Sequence, residues 1–196
     1  MTKAVEFFFD VGSPASYLAW TQLPTLCEQA GARLVYRPML LGGIFQATGN
    51  SSPASVPAKG RYVTTDLARH ARRYGVALAH NPHFPILTLS LMRAAVGVQL
   101  RQPERLDDYL SAVFQAIWVD SLNLNDVGLV AQTLASRGFA PELVEQWVSD
   151  PEVKAALKAN TDEALQRGVF GAPTMFVGTE MYFGQDRLDF VREALA

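Results

Sequence analysis

Apolar and polar positions divide the chain into two strand-bearing ends and a long helical middle. Near the N-terminus the run VEFFF (5–9) stops at Asp10, and a second strand-like run, RLVYR, covers 33–37. Between them, residues 17–30 carry an apolar pattern of helical period that ends at Gly31. Short apolar runs bounded by turn residues read as strands, and strand, helix, strand in this order make a βαβ unit. Near the C-terminus, TMFV (174–177) and MYF (181–183) flank the turn residues Gly178-Thr179-Glu180, which predicts a hairpin, and a last helix is expected from about Asp186. From Gly42 to Gly168 the punctuation is helical. Pro57, Pro103, Pro141 and Pro151 each stand where a first-turn proline would, since a helix start leaves that N–H unused. Val153, Ala156, Leu157, Ala164 and Leu165 trace one apolar face behind the start signal Asp150-Pro151-Glu152. A shorter pattern begins near Asp126, runs through Val127, Val130 and Leu134, and stops at Gly138. Two stretches lack any period, 49–57 (GNSSPASVP) and 80–85 (HNPHFP).

The predicted order is therefore β-α-β, a helical block, then β-β-α. A right-handed βαβ crossover plus a terminal hairpin and helix gives an α/β fold with one sheet flanked by helices. The helical block is too long for a loop and reads as an all-helical insertion. The boundaries are 1–41 and 168–196 for a discontinuous sheet-bearing domain and 42–167 for the inserted subdomain. The groove between the two is the default place for a ligand.

Composition narrows the classes of function. A chain of 196 residues, 49% hydrophobic and 18% charged, has enough apolar material for a core and too much for disorder. Seventeen Lys+Arg against 19 Asp+Glu leave a net charge of −2, so no basic field invites nucleic acid or an anionic membrane. The densest basic stretch, Arg69-His70 and Arg72-Arg73, reads as a solvated helix face. Cys27 is the single cysteine, which excludes an intrachain disulfide and a thiolate metal cluster. His70, His80 and His83 stand at no metal-ligand spacing, so no metal is expected. The N-terminal run carries Glu6 and Asp10, unlike a signal peptide, and no apolar run is long enough to span a bilayer. A cytoplasmic protein is expected.

Four places at the ends of the predicted strands could carry chemistry. Ser13-Pro14 opens the first helix, where a hydroxyl caps the helix and equally sits in a field that favours an anion. Gly171-Ala172-Pro173-Thr174 precedes a strand; a proline there lacks a ladder partner, and a cis bond at Ala172-Pro173 would expose backbone to a peptide-like ligand. Gly184-Gln185-Asp186-Arg187 opens the last helix, with Asp186 either capping it or taking a ligand ammonium. Asn50 and Lys59 lie in and just after the polar stretch, and an isolated lysine is more often a solvated charge than a ligand. Tyr17, Phe45, Tyr62, Phe84 and Trp118 could line an aromatic pocket or be plain core.

The motifs D-x-x-S-P-x-S-Y-L-A (10–19) and F-G-A-P-T-M-F-V (170–177), on this element order, resemble those of the 2-hydroxychromene-2-carboxylate isomerases and of the related kappa-class glutathione transferases. The resemblance covers essentially the whole chain. It implies a thioredoxin-like β-α-β…β-β-α domain with a helical insertion, as in the DsbA-type oxidoreductases, and glutathione as cofactor. It implies that Ser13 stands in place of a redox cysteine pair and faces the glutathione sulfur. It further implies glutathione contacts at Asn50, Lys59, Ala172 before a cis Pro173, Gln185 and Asp186, and isomerisation of a small aromatic α-keto acid through reversible thiolate addition. A homodimer is expected. Ala15 stands where the family often has an aromatic residue, and the GNSSPASVPAK loop departs from the naphthalene-pathway enzymes. Two other functions stay open: a transferase or peroxidase that consumes the thiol, and a non-catalytic binding module of the same fold.

Overall fold

The computed structural model describes residues 3–196. The phenylalanine-rich β1 (Ala4–Phe9) is followed by α1 (Pro14–Gln29) and β2 (Arg33–Pro38). Seven helices come next: α2 (Leu41–Thr48), α3 (Pro57–Tyr74), α4 (Leu89–Arg101), α5 (Leu106–Trp118), α6 (Val127–Ala135), α7 (Pro141–Ser149) and α8 (Pro151–Gln166). The chain returns to the sheet as β3 (Thr174–Val177) and β4 (Glu180–Phe183) and closes with α9 (Leu188–Leu195). Pro57, Pro141 and Pro151 are the first residues of α3, α7 and α8, and Pro103 opens a single 3₁₀ turn ahead of α5.

The strand order is β2-β1-β3-β4. β1 and β2 are parallel, with Phe7 opposite Tyr36, whereas β3 runs antiparallel to β1, with Phe8 opposite Thr174, and antiparallel to β4. Alternation along β1 sends Val5, Phe7 and Phe9 into one core and Phe8 into another. A strand buried on both faces shows a continuous apolar run, which is why VEFFF has so little alternation. The smaller core packs Phe8 and Phe176 of the sheet against Ile44 of α2 and Ala164 of α8. The larger one is continuous from β1 and α1 through α3, α4, α5, α7 and α8 to α9. The split into 1–41 with 168–196 and 42–167 therefore follows chain order, while the buried core runs across it.

The last helix starts later than the sequence suggests. Residues Gln185–Arg187 form a 3₁₀ turn, and Leu188 is the first residue of α9. Among the described residues no helix is long and apolar enough to cross a membrane.

Candidate active site

Ser13 is the N-cap of α1, in extended backbone conformation (φ −98°, ψ 116°), with Pro14 as the first helical residue. Its Oγ accepts the Ser16 backbone N–H at 3.1 Å and donates to the Ala172 carbonyl at 3.1 Å. One oxygen thus caps α1 and joins it to the segment before β3. The turn that delivers Ser13 is held by several hydrogen bonds. The Ser13 N–H donates to the Asp10 carbonyl at 3.0 Å, the Trp118 indole donates to the Val11 carbonyl at 2.8 Å, and the Val11 N–H reaches the Met92 sulfur at 3.4 Å. The Gly12 N–H goes to the Asp10 carboxylate at 2.9 Å.

The Ala172-Pro173 bond, undecided by the sequence, is cis. The Thr174 hydroxyl donates to the Gly171 carbonyl at 2.9 Å, and the Gly184 N–H donates to the Pro173 carbonyl at 3.0 Å. The second bond brings the turn bearing Gln185 and Asp186 alongside the proline. Gln185 is buried, and its carbonyl accepts the Tyr74 hydroxyl of α3 at 2.6 Å. Asp186 is exposed and pairs with Arg187 at 2.5 Å. It does not cap a helix: it lies inside the 3₁₀ turn, and the N-cap of α9 is Arg187, with no side-chain cap bond. Gly184 has φ 102°, a backbone conformation that residues with a side chain rarely adopt.

From the insertion, Asn50 follows α2 and donates its amide to the Phe170 carbonyl at 2.8 Å, two residues before Ala172. Ser13, Asn50, Ala172, Pro173, Gln185 and Asp186 are therefore linked through direct or neighbouring hydrogen bonds at one end of the sheet. Lys59 lies exposed in the first turn of α3 and makes no ion pair among the described residues.

The five aromatic candidates do not form one wall. Tyr17 is core, its ring against Trp20 and Phe114 and its hydroxyl donating to the Ala77 carbonyl at 2.8 Å. Trp118 is buried with its indole committed to Val11, and Phe84 packs on it at 6.1 Å between ring centroids. Phe45 is half-buried on α2, and Tyr62 is exposed on α3. Helical periodicity marks such residues as apolar without saying which face of the site they reach. The exposed aromatic pair beside Asn50 is instead Phe170 with Phe183, 4.5 Å apart, and Gly171 leaves room for the Phe183 ring. Sequence reading also passed over Tyr74 and the carboxylate of Asp10; for Asp10 the available signal was an acid ending an otherwise apolar strand.

Two surface clefts, of about 390 Å³ between α5 and α6 and about 490 Å³ beside the start of β1, are lined by none of the candidate residues. Cys27 is buried in α1, and burial pushes its thiol up to about 11. The sulfur is thus a poor nucleophile at neutral pH. What the site offers is one hydroxyl at the positive end of α1, strand-end backbone at Ala172, an exposed carboxylate at Asp186 and the Asn50 side chain from the insertion.

Residues 4–196 match the family model of a DsbA-like thioredoxin domain. The chain is 31% identical over 197 residues to a 2-hydroxychromene-2-carboxylate isomerase of Sphingobium xenophagum, covering 100% of this chain and 99% of that protein. It is 28% identical over 201 residues to glutathione S-transferase kappa 1 of Rattus norvegicus, covering 96% of this chain and 89% of that one. The solved structure of a 2-hydroxychromene-2-carboxylate isomerase superposes with a TM-score of 0.85 at 29% identity, covering 98% of this chain and 94% of that one.

Proposed function

The chain belongs to the DsbA-like thioredoxin family, in the branch that holds 2-hydroxychromene-2-carboxylate isomerases and kappa-class glutathione transferases, and on that premise we propose that it is a glutathione-dependent isomerase. The observation that carries the reading is the Ser13 hydroxyl at the N-cap of α1, 3.1 Å from the Ala172 carbonyl, with no cysteine at that turn. The donor set fits a γ-glutamyl tripeptide thiol. Backbone at Ala172 and Pro173 suits the cysteinyl peptide. Gln185 and Asp186 suit the γ-glutamyl end, where the Asp186 carboxylate meets the ammonium in competition with Arg187. Asn50 and Lys59 reach the tripeptide from the insertion. When bound, glutathione would supply a thiolate for reversible addition to the conjugated double bond of an aryl α-keto acid; that bond would be single while the sulfur is attached, and the thiol would be regenerated.

The chain's own part is to make and hold an anion. The Ser13 hydroxyl, which donates to the Ala172 carbonyl, is the donor that would turn to the sulfur, and the positive end of the α1 dipole lies behind it. A hydroxyl does this without the mixed disulfide that a cysteine would form.

The test is turnover of 2-hydroxychromene-2-carboxylate followed by absorbance, with free thiol titrated before and after. The expected result is isomerisation that requires glutathione and leaves its concentration unchanged. Turnover that is equal without glutathione would overturn the reading. Loss of one thiol per product would place the chain with the transferases, the function of its 28% identical relatives.

A further inference from the structure

Asp10 is 1% exposed at the end of β1, and its carboxylate meets three donors from three parts of the chain. The Gly12 N–H reaches Oδ1 at 2.9 Å, the Leu41 N–H reaches Oδ2 at 2.8 Å, and the Thr88 hydroxyl reaches Oδ2 at 3.0 Å. Leu41 is the first residue of α2, whose own N-cap, Leu40, makes no side-chain bond. Thr88 is the N-cap of α4 and makes no cap bond within its own helix. One side chain from the strand thus substitutes for the cap of α2 and fastens the start of α4. No cationic side chain is within ion-pairing distance of it among the described residues. All three partners donate, so the arrangement matches an acceptor-only carboxylate.

The segment leading into α4 also lies against the Ser13 turn. A Cβ at Gly12 would come 2.8 Å from the Thr88 methyl and 3.8 Å from the Ile86 carbonyl. The lack of a side chain at Gly12 is what lets this segment close over the turn.

We propose that Asp10 is a positioning residue for this site: its carboxylate ties the Ser13 turn, the start of α2 and the start of α4 to one point, and so fixes the Ser13 hydroxyl relative to Ala172 and to the Asn50 arm that follows α2. Burial raises its carboxyl above the ordinary value near 3.8. A raised acid stabilises the fold below that value, and the contribution is lost as pH rises through the folded-state pKa.

The inference rests on the glutathione reading, and its test separates the two. Asp10→Asn keeps shape but supplies one acceptor and one NH₂ donor. With the Asn oxygen turned to Leu41 and Thr88, the NH₂ faces the Gly12 N–H and that link is lost. With the opposite flip, α2 is released. The ultraviolet absorbance of the bound thiolate is titrated in wild type and variant, together with amide hydrogen exchange at Gly12, Ser13 and Leu41. The expected result is faster exchange at Gly12 or Leu41 and a rise of about one unit in the bound thiol's pKa, a tenfold loss of thiolate below that pKa. Removal of a negative charge acting only as a charge would move the thiol pKa down. A fall, or no change in a folded variant that still binds glutathione, overturns the proposal. If wild type leaves the thiol near its free value of about 8.5, the glutathione reading fails instead. Asp10 is then judged on exchange alone, with unchanged protection counting against it. If Asp10→Asn does not fold, Thr88→Val carries the test by removing one donor; a smaller rise is expected, and none overturns the proposal.

Discussion

Ser13 Oγ accepts from Ser16 and donates to Ala172, so replacing it acts on stability and chemistry together. Ser13→Ala removes a cap, at about 1 kcal/mol of stability. It leaves the field of α1 in place but takes away the donor to sulfur. The pKa of bound glutathione should rise and turnover at neutral pH should fall, with part of the loss recovered at higher pH. Coincident thiolate titration curves for wild type and Ser13→Ala would leave Ser13 as a cap only. Asp186 separates these effects more cleanly, because it caps nothing and its exposed pair with Arg187 contributes at most about 1 kcal/mol. Asp186→Asn should weaken glutathione binding by about 1–3 kcal/mol while barely moving the melting temperature. Equal affinity by calorimetry would remove it from the site. Cys27 carries a pH prediction. Its thiol lies at about 11 in the fold against an ordinary 9.0. A raised acid stabilises fully below the unfolded value and loses that contribution as pH climbs between the two. Stability should therefore decline between pH 9 and 11 more in wild type than in Cys27→Ala, with glutathione-dependent turnover at neutral pH intact in both. Parallel stability profiles would mean that the thiol is not held protonated by burial.

Elements announced by both ends and a periodic face were readable from the chain: β1 and β2 around α1, the proline starts of α3, α7 and α8, and the hairpin of β3 and β4. The starts of α2, α4 and α9 were not, because none of them has a first-turn proline or a side-chain cap of its own. Asp10 accepts the first N–H of α2 from 31 residues away and holds the Thr88 hydroxyl at the start of α4 from 78 residues away, and no local pattern encodes that. The same blindness applied to the aromatic residues: hydrophobicity showed that Tyr17 and Trp118 would be apolar partners, while their place in the core depended on which helices met. Helix-to-helix approach is an equally non-local quantity. At Gly97, buried in α4, a Cβ would fall 2.5 Å from the Trp147 Cβ of α7. That atom is close to the α7 backbone, so a rotamer change cannot relieve the clash and the helices must part. Gly97→Ala gains up to about 1 kcal/mol of helix propensity and loses about 1–3 kcal/mol to overpacking. A net drop in the urea midpoint is expected; a variant at least as stable as wild type would show that α4 and α7 have slack.

At the scale of the whole molecule, chain order suggests two units and the packing joins them. The larger core takes Val5, Phe7 and Phe9 from the sheet, Leu91, Met92, Val96 and Val98 from α4, Trp147 from α7 and Val191 from α9. The candidate site repeats the arrangement on the surface. Ser13, Ala172 and Asp186 come from the sheet-bearing ends, Asn50 comes from the insertion, and Asp10 fastens the first to the last through α2. Neither part can lose its structure without baring apolar surface of the other, which is the condition for all-or-none unfolding. The three tryptophans, Trp20 in α1, Trp118 in α5 and Trp147 in α7, report mainly on helices, and circular dichroism at the strand signal reports on the sheet. Both should trace one urea transition with one midpoint. A ligand that bridges the two parts and binds only the native state moves that midpoint without splitting it, by about 2.7 kcal/mol at a glutathione concentration one hundred times its Kd. If the fluorescence transition separated from the sheet transition, the insertion would be an independent folding unit. If glutathione then stabilised only one of the two transitions, the ligand would be held by one part alone, and the bridging role of Asn50 would fall with the single core.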